Sequence, residues 1–140
     1  MIFKRFIPLL LQSCHHLDSN SKASLAVSVV QKHRLGVYIL GDENDGQLVF
    51  RYVGRSDHCL QTRLLTHGLL YRCSYFIFSY TDTAREAFEL ESKWWHDCKS
   101  SGMNLLNIIH PDSPSGAFFP CPYCQFRNEM KEYLPHSKVG

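Results

Sequence analysis

The chain has 140 residues and a formal net charge of +2, with 44% apolar and 20% charged residues. That balance is ordinary for one globular domain with a real but modest core, and no run approaches the roughly 18 apolar residues that a membrane span needs. So small a charge does not establish a polyanionic partner, though eight histidines can add positive charge below neutral pH.

Residues 1–34 read as an N-terminal extension. Lys4 and Arg5 before FIPLLL, then Cys14, resemble the start of a signal peptide, but the apolar run is shorter than the 7–15 residues of its hydrophobic region. A small docking segment on a cytoplasmic protein is expected instead of export. LDSNS marks a break, and KASLAVSVVQKHR reads as a helix. GVYIL (36–40) is a predicted strand, DENDG (42–46) a turn cluster and QLVFRYVG (47–54) a second strand. Together they form a hairpin, with a loop expected to be longer than the two-residue type. Ser56 or Asp57 is positioned to cap a helix running to about Leu70. SYFIFSY (74–80) is a third strand, and TDT (81–83) opens a long helix that ends near 100–102 at a glycine. MNLLNIIHP leads into a PDSPSG loop, then to CPYC and a short polar helix over roughly 125–134. The order predicts an α/β chain of the α+β kind: a small three-stranded, mostly antiparallel sheet flanked by helices.

Two helices carry charges on faces that should be apolar. In AREAFELESKWWHDC (84–98), a helical wheel gathers Ala84, Ala87, Phe88, Trp94, Trp95 and Cys98 on one stripe, with Glu91 in its middle. Glu86, Glu89 and Lys93 fall outside it. In the earlier helix, Arg63 and His67 share a face with Leu60 and Leu64. A buried Arg–Glu pair would explain this, but desolvation makes such pairs poor stabilising devices. A functional cleft is the alternative, since an acid can hold a cation and an arginine a phosphate. Tyr38 and Tyr52 on adjacent strands add two phenols that can relay a proton or orient a water.

Gly36-Val37-Tyr38 followed by Tyr52-Val53-Gly54 resembles the paired motif of the GIY-YIG nuclease family, with Val replacing Ile in both halves. Arg63, His67, the segment TAREAFELE and Asn107 in LLNIIHP follow in the family's order. The resemblance covers residues 35–111, which makes that span the predicted nuclease domain and 112–140 a tail. It implies hydrolysis of phosphodiester bonds with one divalent metal, Mg²⁺ or Mn²⁺, held by Glu91 as the one protein ligand; such sparse ligation suits Mg²⁺, which keeps much of its water shell. It also implies that Arg63 grips the scissile phosphate. Tyr38 would act on the attacking water as base or relay, Tyr52 would hold the water or phosphate, and His67 would share the relay. Arg55 is expected to contact phosphate and Asn107 to support the site. DNA is the implied substrate. Since 112–140 is too short for a second domain, selectivity is expected from the extensions, from a targeting protein or homodimer, or to be low.

The tail lies outside that resemblance. Cys121 and Cys124 in CPYC are half of a possible structural Zn²⁺ site, and Cys98, His96 and His110 are the candidates for its remaining ligands. The six cysteines are otherwise expected to be reduced thiols. Two other readings stand beside the nuclease: a non-catalytic nucleic-acid-binding module on the same fold, and a zinc-stabilised interaction protein.

Overall fold

A computed structural model of the chain describes residues 14–16, 27–67 and 72–124. Its centre is an antiparallel sheet of β1 (Cys14–His16), β2 (Leu35–Asn44), β3 (Gln47–Ser56) and β4 (Tyr75–Thr81), in spatial order β1-β4-β2-β3. The expected three strands are therefore present, and every pairing is antiparallel. Residues 14–16 of the N-terminal extension add a short fourth strand along β4. Helix α1 (Leu60–Thr66) packs on one face of the sheet and α2 (Ala84–Ser100) on the other. The architecture is α+β.

Side-chain alternation divides β2 between the two faces. Val37 and Ile39 join Ala87, Trp94, Trp95 and Cys98 beneath α2, whereas Tyr38 and Leu40 join Leu60 and Leu64 beneath α1. On β3 the alternation is broken by a bulge. Leu40 pairs with Tyr52 and Gly41 with Phe50, leaving Arg51 as the extra residue. The bulge lets Phe50 and Val53, an odd number of positions apart, share the α2 face.

Several boundaries differ from the sequence expectation. The β2–β3 connection is a tight turn, not a long loop: Asn44 pairs with Gln47, and Asp45 (φ 52°) and Gly46 (φ 78°) both adopt the left-handed conformation that such a turn requires. The turn cluster 42–46 thus loses its first residues to the strand. Helix α1 begins later and ends earlier than expected. Ser56 Oγ accepts from Cys59 N (3.0 Å), but Cys59 is the residue before the helix and makes no side-chain cap. The long helix starts as predicted, with Thr83 Oγ1 accepting from Glu86 N at 3.1 Å. Of the predicted helix at 22–34, residues 22–26 lie outside the described residues, while 28–34 run through turns and a bend, with His33 at φ 62°, so no helix extends there; the predicted helix at 125–134 lies wholly outside the described residues. Among the described residues no helix is long and apolar enough to cross a membrane.

Candidate functional site

β3 lies at the sheet edge, and the motif residues assemble around it. Tyr38 on β2 sits opposite Gly54, and its ring lies across that glycine. A Cβ at position 54 would stand 2.6 Å from Tyr38 Cζ and Oη and 2.9 Å from Tyr52 Cε1. Glycine is therefore required there by close approach. Gly36 has a similar reason: a Cβ would meet Ser79 O at 2.4 Å and Leu60 Cδ2 at 2.9 Å. The Tyr38 and Tyr52 rings stack with centroids 6.2 Å apart, and His67, just past α1, meets Tyr52 edge-on at 4.5 Å and Tyr38 at 5.8 Å.

Arg63 is exposed over much of its surface, yet its guanidinium reaches the two phenols and feels both electrostatically. The Tyr38 hydroxyl is buried and makes no hydrogen bond of good geometry with any described residue. Burial pushes its pKa above the usual phenol range, and Arg63 offsets that only in part. The phenol is thus protonated at neutral pH. Burial lowers the pKa of His67, and the Arg63 charge lowers it further, so this imidazole is neutral at pH 7.

Glu91 occupies the apolar face of α2, 8% exposed. Its ion-pair partner is Arg55 on β3, with Nη1 2.5 Å from Oε1, and not Arg63 from the neighbouring helix. Arg55, expected at the phosphate, is thus engaged within the protein: its Nε also donates to Asp57 Oδ1 at 2.9 Å, and its guanidinium lies over the Phe88 ring at 5.5 Å. Burial works against the Arg55 charge, but Asp57 and Glu91 outweigh it and hold its pKa above the ordinary value. Burial raises Glu91 to about 7, against the pull of Arg55; Asp57 raises it further and Arg63 lowers it. The carboxylate is therefore short of compensating positive charge, a deficit that a divalent cation would fill. Tyr38 is also close enough to feel Glu91. The two faces of the sheet meet electrostatically at the β3 edge.

Asn107 pairs with the outer backbone of β3. Val53 N donates to Asn107 Oδ1 (3.2 Å), Asn107 Nδ2 donates to Val53 O (2.7 Å), and Trp95 Nε1 donates to Asn107 O (2.9 Å). Leu106 N adds a bond to Arg51 O at 2.7 Å. These contacts satisfy edge-strand groups that would otherwise stay open. Trp94 and Trp95 are core residues.

A second cluster lies farther along α2. His96, His110, Cys121 and Cys124 bring one ligand atom each to within 4.8 Å of one another, an arrangement compatible with a metal such as zinc. Of the three candidates for partners of the CPYC pair, the two histidines take part. Cys98 does not: it is fully buried in the core, and burial pushes its thiol up to about 12. Cys59, Cys73, Cys98, Cys121 and Cys124 form no disulfide within the described residues. Asp57, considered in the sequence only as a helix cap, is instead the second partner of Arg55. Asp57 lies just past the end of β3, two residues beyond Arg55, where the bend after the strand brings its carboxylate back to the guanidinium.

Comparison of the chain with family models, curated proteins and solved structures gives no match.

Proposed function

We propose that this protein is a metal-dependent endonuclease that hydrolyses phosphodiester bonds, with DNA as substrate. One observation supports the reading above the others: a buried carboxylate paired with Arg55 is also within electrostatic reach of a second guanidinium, Arg63, and of the Tyr38 phenol, groups drawn from separate elements. An acid kept for stability alone would need one arginine. The resemblance to GIY-YIG nucleases gives that gathering a chemistry.

In this reading Glu91 holds the cation, Mg²⁺ or Mn²⁺, which when bound supplies charge stabilisation at the phosphate. Asp57 would remain as a partner for Arg55 if Glu91 held the metal. Arg63 grips non-bridging phosphate oxygens through its planar fork, with bonds that strengthen as charge develops. A water oxygen attacks phosphorus, the bond to the leaving oxygen breaks, and that oxygen takes a proton from solvent. The protonated Tyr38 serves as a relay: it orients the water and passes a proton toward neutral His67, which accepts it. Tyr52 holds the Tyr38 and His67 rings in place. This differs from Tyr38 acting as an anionic base, a form that its burial opposes.

Supercoiled, branched and single-stranded DNA, together with RNA, are to be incubated with the protein in Mg²⁺ or in EDTA. Cleavage of at least one DNA is expected in Mg²⁺ alone. Glu91→Ala should nearly abolish it, while Glu89→Ala, whose carboxylate makes only a loose 3.8 Å pair with Arg85, should leave it unchanged. Equal activity in these two variants would refute the assignment, and cleavage of RNA alone would overturn the substrate. The close Arg55–Glu91 pair favours a second reading, a nucleic-acid-binding module without catalysis. Retention of DNA with no cleavage under any divalent metal would select it.

A further inference from the structure

The geometry points to a closed, structural Zn²⁺ site built from His96, His110, Cys121 and Cys124, which fastens residues 110–124 to α2. The four side chains come from different parts of the chain: His96 from the helix, His110 from the segment after it, and the cysteines from a single 3-10 turn, Pro122–Cys124, and the residue before it. Their ligand atoms nevertheless converge. His96 Nε2 is 3.2 Å from His110 Nε2, 3.3 Å from Cys124 Sγ and 3.6 Å from Cys121 Sγ, and Cys124 Sγ is 3.2 Å from His110 Nε2. A zinc ion with Zn–N near 2.0–2.1 Å and Zn–S near 2.3 Å sets tetrahedral edges of about 3.3–3.8 Å. These four separations are close to those edges, and the other two are within 4.8 Å.

Protons alone do not account for this arrangement. His110 Nδ1 lies 2.7 Å from Pro111 O, a carbonyl that can only accept, so Nδ1 carries a hydrogen. In the neutral ring that leaves Nε2 as a lone pair aimed into the cluster, and a backbone carbonyl fixing the tautomer in this way is the usual support of a ligating histidine. The four atoms make four close approaches but carry at most three protons, one on His96 Nε2 and one on each thiol, so hydrogen bonds cannot serve every approach. A cation at the centre satisfies all four atoms at once. On binding, the two thiols each release a proton, so two thiolates and two neutral imidazoles give Zn²⁺ a net charge of zero at a half-buried position.

The ligand set selects the metal. Two sulfurs and two imidazole nitrogens in a tetrahedron suit Zn²⁺ and disfavour Mg²⁺ and Ca²⁺, which take oxygen. The atoms also stand too close together to enclose a multi-iron cluster. With four protein ligands no coordination position remains for water, so the site is structural and not catalytic. The task it would perform is visible in the segment it holds. Residues 110–124 carry four prolines and contain no regular element beyond the short 3-10 turn. Phe118 is 91% exposed, and the contacts of the segment with itself are few, chiefly Ser113 Oγ with the Phe119 backbone. An irregular segment with so little of its own to hold it gains its position from the ion.

This assignment is independent of the nuclease reading, because its readouts need no substrate. Protein purified without chelator and dialysed against excess Mg²⁺ should retain one zinc per chain by elemental analysis. Co²⁺ reconstitution should give the visible bands of a tetrahedral ion and the near-ultraviolet band of thiolate ligation. Cys121→Ser and Cys124→Ser should each lose the zinc, while Cys59→Ser, remote from the cluster, should keep it. Removal of zinc should open the 110–124 segment to limited proteolysis. Where a serine variant fails to fold, the Co²⁺ spectrum of the unaltered chain decides. No zinc and no tetrahedral, sulfur-ligated Co²⁺ spectrum in that chain would overturn the proposal, as would full zinc retention in the Cys121→Ser, Cys124→Ser double variant.

Discussion

Glu91 and His96 stand five positions apart on one helix and serve two opposite kinds of centre. Around His96 the protein itself brings four ligand atoms to one point. Around Glu91 it provides a single buried carboxylate, an arginine already bound to it, and a phenol hydroxyl that makes no good hydrogen bond within the described residues. A centre with all its ligands in place is finished on folding. One whose charge and hydrogen bonds are left incomplete is arranged for something that arrives later, and that contrast is the physical basis for reading the second as the reactive one.

The sharpest way to break the contrast is to remove Arg63. It reaches the Tyr38 and Tyr52 phenols but none of the four clustered ligands. Arg63→Ala should lower the single-turnover cleavage rate by about 10²–10³-fold, the range for losing one preorganised charge-stabilising group, and leave the metal content of the His96 cluster unchanged. A rate within threefold of the parent would remove Arg63 from the site.

Protonation separates the centres next. A carboxyl whose folded pKa lies above its ordinary value of about 4.5 holds its proton more tightly in the fold. The stability this contributes is fully present below pH 4.5 and is lost as pH rises to about 7. Chemical denaturation of the metal-free site should therefore show the parent losing stability relative to Glu91→Gln over that window, by about 3 kcal/mol. Cleavage at limiting Mg²⁺ should run the other way, weakening as pH falls, because the proton and the cation compete for the carboxylate. Parallel stability curves for the two proteins would contradict the burial argument.

Gly54→Ala tests the packing beneath the phenols. The new methyl would meet the Tyr38 ring at 2.6 Å. Overpacking of this kind costs about 1–3 kcal/mol, and the displaced hydroxyl should lower the cleavage rate more than it lowers stability. Asn107→Ala should have the smallest effect. It removes two hydrogen bonds to the Val53 backbone, so thermal unfolding should report a loss of about 1–3 kcal/mol with cleavage retained.

The frame of this fold was legible in the sequence because its signals are local. The apolar stripe of α2, the Thr83 cap and the aromatic run of β4 each follow from neighbouring residues. Glu91 stood out for the same reason, as a charge where the helical period allows none. What was not legible depends on contacts across the chain. Arg55 and Glu91 meet only because β3 passes under α2, so a wheel drawn for each helix pointed to Arg63 instead. The bulge at Arg51 and the two-residue turn at Asp45–Gly46 are settled by strand register, although the Asp-Gly pair did carry a turn signal. CPYC offered two ligands, and only the folded chain chooses His96 and His110 over the core-buried Cys98.

The most direct measurement is Mg²⁺-dependent nicking of supercoiled DNA by the parent and by Glu91→Gln, prepared side by side and matched in zinc content. Loss of about 10³-fold or more in the glutamine variant, with its His96 cluster intact, is the predicted result. Nicking at the parent rate by Glu91→Gln would contradict the assignment of Glu91 as the residue on which cleavage depends.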